Sequence, residues 1–269
     1  MRNQHAVLII FGALALFMIA PTLLALSTSL KPTAEADTPW AISSVWTFKH
    51  YTRVWTEGGF SRYFFNSFII SCVDALVMIV LASLAGYALT FMHFPGKQLI
   101  RLVFLAGLMV PVTAIVLPLY ASIRNIGLIG THLGVILCDV ALALPIFVFL
   151  FASYFKKIPV SLHDAARVDG ANEWQIYRKV VLPLAKPVVV TTGLLEFLWS
   201  WNDLLLRLVL LPRESSRTLA VGLLLFQGGQ TRDISSLSAG AVIMALPVVL
   251  LFIVFQRHFV RGMTAGAVK

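Results

Sequence analysis

Three carboxylates stand inside apolar runs: Asp74, Asp139 and Glu196. A charged side chain at mid-bilayer costs roughly 2.5–3.5 kcal/mol on insertion scales, so such groups face a cavity or a partner. At 100° per residue, Thr192, Glu196, Trp199, Asn202 and Asp203 fall on one helical stripe. Carboxylates and amides bond hydroxyls, and indole rings stack on C–H faces. That chemistry suits a polyhydroxylated ligand moving along a path lined by Asp74, Asp139, Glu196, Trp199, Asn202 and Asp203. A plainer reading of the same residues also stands. Asp203 and Arg207 are i, i+4 neighbours able to pair, and Glu196 could hold another helix. Asp74 with Ser67 and Ser71 makes a weaker stripe.

Residues 158–183 are the second place with chemistry. The stretch is polar, basic and amphipathic. Ser161 and Asp164 form an S-x-x-D helix start. On that helix Leu162, Ala165, Ala166 and Asp169 share a face, and the two alanines leave it low enough to enter a groove. Gly170 can end the helix in a left-handed conformation. A second short helix is expected from Ala171 to about Val180, with Pro183 opening the next apolar run.

Other chemistry is missing from the sequence. No G-x-x-x-x-G-K-[ST] phosphate loop occurs. Six histidines (His5, His50, His93, His132, His163, His258) are never paired at i, i+4 and read as polar residues near span ends. Cys72 and Cys138 fit neither a disulfide framework nor a zinc site and read as packing residues. No nucleophile–base pair suggests a membrane-embedded enzyme.

The elements that position these groups follow from composition. Of 269 residues, 59% are hydrophobic and 12% charged, against about 45–50% and about 25% in ordinary soluble domains. Mean hydropathy is +0.88. A soluble fold cannot hide that much apolar surface, so a lipid bilayer is the natural solvent. The net charge of +9 invites a nucleic-acid reading. The bases sit in short segments between apolar runs, as in membrane-protein loops, and nucleic acid is set aside. Six runs are long enough to cross: Ala6–Leu30, Tyr63–Phe91, Leu99–Ile123, Leu133–Phe155, Leu184–Leu211 and Ser238–Phe259. The first exceeds the ~7–15 residues of a signal core and is expected to be retained. Both termini then share a side. Placing that side in the cytoplasm puts 12 Lys/Arg inside and 9 outside, the expected bias. Residues 1–269 form one membrane domain, with an outer loop at 31–62, an inner loop at 158–182 and an inner tail at 260–269. The outer loop, with Trp40, Trp46 and Trp55, suits short helices lying at the interface. Pro111 and Pro118 in one run suggest an irregular helix.

One spacing matches a known pattern. Asp164-Ala165-Ala166, three residues, Gly170, nine residues, Val180, one residue, Leu182-Pro183 resembles the EAA signature of ABC importer permeases, E-A-A-x3-G-x9-I-x-L-P. Asp164 replaces Glu and Val180 replaces Ile, keeping a carboxylate and a β-branched residue. Asn66-Ser67, Phe94-Pro95-Gly96-Lys97, Leu117-Pro118-Leu119-Tyr120, Ser200-Trp201-Asn202-Asp203 and the tail Arg261-Gly262-Met263-Thr264-Ala265-Gly266-Ala267-Val268-Lys269 resemble the carbohydrate, maltose-type subfamily and its six-span second permease. The resemblance implies an all-α type I importer permease: six transmembrane helices and a cytoplasmic coupling helix carrying Leu162, Asp164, Ala165, Ala166, Asp169 and Gly170. It implies a prokaryotic inner membrane, a homologous second permease, two ATPase subunits holding ATP and magnesium, and an extracytoplasmic binding protein that delivers a sugar. It implies no cofactor, metal or catalytic residue in this chain. A glycerol 3-phosphate or polyol importer is the neighbouring alternative. An anionic cargo would want basic residues facing the pore, and the deep charges singled out here are acidic. A transporter driven by an ion gradient, with Asp74, Asp139 and Glu196 as relay carboxylates, is the alternative of another class. No internal repeat supports it.

Overall fold

The computed structural model describes residues 2–38, 40–43, 45–227 and 233–267. Pro39 and the last two residues of the expected tail, Val268 and Lys269, lie outside the described residues. Among those described, every regular element is helical. In chain order they are α1 (Arg2–Ser29), α2 (Lys49–Thr56), α3 (Phe60–Phe91), α4 (Lys97–Leu108), α5 (Val112–Asn125) and α6 (His132–Phe155). Then come α7 (Val160–Val168), α8 (Glu173–Ile176), a π-helical turn (Tyr177–Val181) and α9 (Leu182–Leu184). The chain continues through α10 (Lys186–Asn202), α11 (Leu205–Leu210), α12 (Leu219–Gln227) and α13 (Ile234–Ala267).

Segments Ile10–Ser29, Phe60–Phe91, His132–Phe155 and Ile234–Phe255 are each long and apolar enough to cross a membrane. The other two crossings are bent pairs. The expected third span, Leu99–Ile123, is broken: α4 and α5 meet at 107°. Pro111 is the cause. Its backbone is extended (ψ 130°) at the N-cap of α5, and proline drives the residue before it away from the helical region. Pro118, by contrast, stays inside α5. The expected fifth span, Leu184–Leu211, is also interrupted. It bends by 79° where the polar segment Glu173–Leu184 meets Lys186–Asn202. It breaks again at Asp203, which is extended with ψ 126°. The Asp203 carboxylate draws on the backbone N–H groups of Leu206 and Arg207, starting α11 afresh as a capping group does.

The chain forms two compact units, residues 1–64 with 219–249 and residues 65–218 with 250–269. In the first, Lys31 is fully buried and its Nζ donates to the carbonyls of Thr38 (2.9 Å) and Ala41 (2.5 Å). A buried ammonium needs such acceptors, and here they fold the outer segment. Asp233 accepts from Ser236 N–H (3.0 Å) and from Arg53 (3.0 Å), tying α2 to the start of α13. Within the second unit, α6 is the central packing surface, with Phe147, Val148, Phe151 and Phe155 at 0–1% exposure. Gly86 lets α3 approach it. A Cβ at that position would lie 2.7 Å from Phe151 Cβ and 3.1 Å from the Ala152 nitrogen, too close for any larger residue.

Candidate functional site

Two groups of side chains in the second unit carry the chemistry singled out in the sequence. The first is the loop between α6 and α10. Helix α7 begins two residues earlier than the S-x-x-D pattern implied. Its N-cap is Pro159, and no side chain caps it. Proline's fixed φ suits that entry, and Ser161 is left exposed. Asp169 closes the helix and Gly170 follows at φ +83°, a conformation only glycine adopts without strain. The second short helix starts at Glu173 instead of Ala171. Asn172 and Gln175 form a reciprocal capping box there, a signal present in the sequence and passed over.

Leu162, Asp164, Ala165, Asp169 and Gly170 are all exposed, and Ala166 is half-buried against the core. Val160, Val168 and Trp174 are exposed as well, Val168 at 87%. The apolar face of α7 thus stands open. Its anchor is His163, 3% exposed and stacked on Phe91 with centroids 5.0 Å apart and planes 5° from parallel. His163 is thus a buried packing residue of the loop, and His50 in the first unit is likewise buried. Tyr87 donates its hydroxyl proton to Glu173 (2.7 Å). Its oxygen is then left to accept from His163 Nε2, 3.1 Å away. Arg167 closes the set by pairing with the other Glu173 oxygen. Burial works against the Glu173 charge, but the hydrogen bonds from Tyr87 and Arg167 outweigh it and hold the carboxyl below its usual range.

The second group centres on a residue given little weight in the sequence. Arg207 is fully buried. Its Nη1 lies 2.7 and 2.6 Å from the two oxygens of Asp139 and 3.2 Å from Asp203. Its Nη2 donates to the Ser200 hydroxyl (2.8 Å) and carbonyl (3.0 Å). The Ser200 hydroxyl in turn donates to Asp74 (2.6 Å), whose carboxylate is 3.7 Å from Arg207. Asp74, Asp139 and Asp203 are therefore gathered on one guanidinium, and the deep charges are not acidic alone. The i, i+4 spacing of Asp203 and Arg207 was the only sequence signal for this cluster. Ser67 and Ser71, on the weaker stripe with Asp74, are buried beside it in sequence at 2% and 0% exposure.

Of the five-residue stripe on α10, Glu196, Trp199 and Asp203 line one cavity, and exposure differs along the stripe. Thr192 and Glu196 are buried at 0% and 2%, whereas Trp199 is 47% exposed. Asn202 is exposed and turns its amide back to the Leu198 carbonyl (2.8 Å). Asp203 lies beyond the helix end. The cavity, of about 160 Å³, is lined by Asp139, Glu196, Trp199, Ser200 and Asp203 among others. Trp199 packs on Phe147 with centroids 5.3 Å apart.

Residues 78–265 match the family described as binding-protein-dependent transport system inner membrane component. The chain belongs to that family. It is a multi-pass membrane permease. Over 269 residues it is 34% identical to the diacetylchitobiose uptake system permease protein NgcG of Streptomyces coelicolor, covering 99% of this chain and 88% of that one. It is 36% identical over 255 residues to the trehalose transport system permease protein SugB of Mycobacterium tuberculosis, covering 94% and 93%. Its fold is that of a chain in the crystal structure of a bacterial ABC transporter that imports the acidic polysaccharide alginate. The TM-score is 0.82, with 24% identity and 96% of each chain covered.

Proposed function

We propose that this permease forms, with a second homologous permease, the membrane path of an ATP-binding-cassette importer for a sugar or oligosaccharide. An extracytoplasmic binding protein delivers the cargo. Partner ATPases holding ATP and magnesium supply the energy, and this chain performs no chemistry itself. Both termini face the cytoplasm of a prokaryotic cell, and residues 31–62 face outward. In this reading α7 is the coupling helix: Leu162, Asp164, Ala165, Ala166, Asp169 and Gly170 dock on an ATPase, and its movement drives the two access states. Coupling of that kind needs a rigid lever joined to a two-state element.

The observation that carries the reading is the open apolar face of α7, rigidly anchored by His163 and ended by left-handed Gly170. An exposed apolar patch on a short helix between membrane spans fits a partner's groove. The EAA-like spacing and the named sugar permeases among its relatives point the same way. The relay-carboxylate alternative gains no support from the geometry, because Asp74 and Asp139 are engaged by Ser200 and Arg207.

The test is purification of the tagged chain from its native membrane in mild detergent, with identification of what accompanies it and an ATPase assay. A phosphate-loop ATPase and a second permease should come with it, and Gly170→Asp should uncouple hydrolysis from transport. A chain that purifies alone and transports under an ion gradient would overturn the proposal.

A further inference from the structure

The Arg207 cluster divides the deep carboxylates into two kinds. Asp139 and Asp203 are held by the guanidinium, and Asp74 is held by Ser200. Glu196 is held by none of them. It is 2% exposed, and its Oε2 has no hydrogen-bond partner among the described residues. Yet the residue lines the 160 Å³ cavity beside Trp199. A buried carboxylate oxygen left without a donor is unfavourable, and the cavity is the side from which a donor outside the chain can approach Glu196.

The cavity limits what that donor can be. Its volume, about 160 Å³, lies below the ~300–1,000 Å³ of a pocket that encloses a whole drug-sized ligand. It is open on one side, so it can take the edge of one ring while the rest of a sugar lies outside it. Trp199, half exposed, gives it a flat apolar wall, against which the C–H face of a pyranose can lie. Three of its lining groups are carboxylates, Asp139, Glu196 and Asp203. The balancing Arg207 is enclosed, with both Nη atoms engaged by Asp139, Asp203 and Ser200. An anionic group in the cavity would therefore meet carboxylates and no cation among the lining residues.

We propose that this cavity is a cargo subsite in which Glu196 determines specificity, accepting a hydroxyl or ammonium donor on one pyranose ring and rejecting phosphorylated or carboxylated sugars. The proposal rests on the sugar-importer reading and sharpens it. The shared chemistry is a hydrogen-bond donor beside an apolar ring face; a neutral sugar and an amino sugar are its two sources.

The assembled transporter, with its partner permease, ATPases and binding protein, decides the matter in proteoliposomes. The probes are trehalose, N,N′-diacetylchitobiose, chitobiose with free amines, and a disaccharide ending in glucuronate. Wild type should carry a neutral or amino probe and refuse the glucuronate. Glu196→Gln should lower uptake of a neutral cargo about tenfold and of an amino cargo about a hundredfold, because the bond to an ammonium is charge-assisted. Glu196→Gln and Glu196→Ala should both admit more glucuronate. Unchanged uptake and KM in both variants, in complexes that assemble normally, would overturn the subsite. So would wild-type preference for the glucuronate probe. Loss of the partner permease from Glu196→Gln complexes would also overturn it, since Glu196 would then be met by a protein group and not by cargo. A wild-type complex that assembles and carries none of the probes removes the sugar reading itself, a separate result from the other three.

Discussion

Arg167 and Glu173, beside α7, form an ion pair with side chains 57% and 36% exposed, whereas Arg207 and Asp139 pair at 0% and 9%. The same two chemical groups serve opposite ends. Next to α7 the charges sit in solvent, where pairing contributes little and is screened. What fixes that loop is the buried His163 stack and the Tyr87 hydroxyl. Around Arg207 the charges are enclosed, and each is balanced by the others. The loop can exchange partners at its surface without upsetting its frame. The cluster cannot lose one member without stranding the rest.

The sharpest way to break this contrast is Arg207→Met. It leaves Asp139 and Asp74 buried without their cation, and a loss of about 3–5 kcal/mol is expected, read as thermal unfolding in detergent. Adding Asp139→Asn should recover part of that loss. A single variant as stable as wild type would show that the cluster is not a unit. Gly170→Ala comes next. Nothing lies within 4 Å of a Cβ there, so only the left-handed backbone resists, by about 1–2 kcal/mol. Gly170→Asn should be milder, and equal effects of the two would mean that something other than backbone strain is at work. Tyr87→Phe should remove about 0.5–1.5 kcal/mol by breaking the hydroxyl link between α3 and the loop, seen as faster amide exchange across α7 alone.

Arg167→Ala should leave thermal stability unchanged, and a clear drop would erase the distinction between the two regions. The pH dependence has a defined sign. Glu173 is held below its usual range, so its contribution is complete above the ordinary carboxylate pKa of 4.5 and is lost as pH falls through its lower folded value. Exchange at α7 should be flat from about pH 8 to about pH 5 after correction for intrinsic rates, and protection should fall only below that.

How much of this was legible in the sequence depends on range. The apolar runs report burial in lipid directly, so the crossing segments could be placed from composition. Gly170 and the short helices around it rest on local backbone preference, and they too could be read. The break at Pro111 was legible as irregularity, but its angle depends on how α4 packs on α6. Asp74, Asp139 and Asp203 were legible as deep carboxylates on one path, but their gathering on Arg207 was not, because Asp74, Asp139 and Ser200 come from α3, α6 and α10 and only tertiary structure brings them together. On α10, Glu196, Trp199 and Asp203 line one cavity although the helix ends before Asp203.

The π-helical turn at Tyr177–Val181 sets an angular phase. A π turn holds an extra residue relative to α-helical winding, and each residue of an α-helix rotates the chain by about 100°. The turn lies between α8 and α10, upstream of Glu196, Ser200 and Arg207. Deleting one residue there would relax the turn to α-helical winding and leave the side chains that follow near their present phase, whereas winding all five residues as α-helix would rotate those side chains by about a third of a revolution. The loop and the charge cluster are thus geared together through a single extra residue, and their relative orientation is written in chain length as much as in side-chain identity.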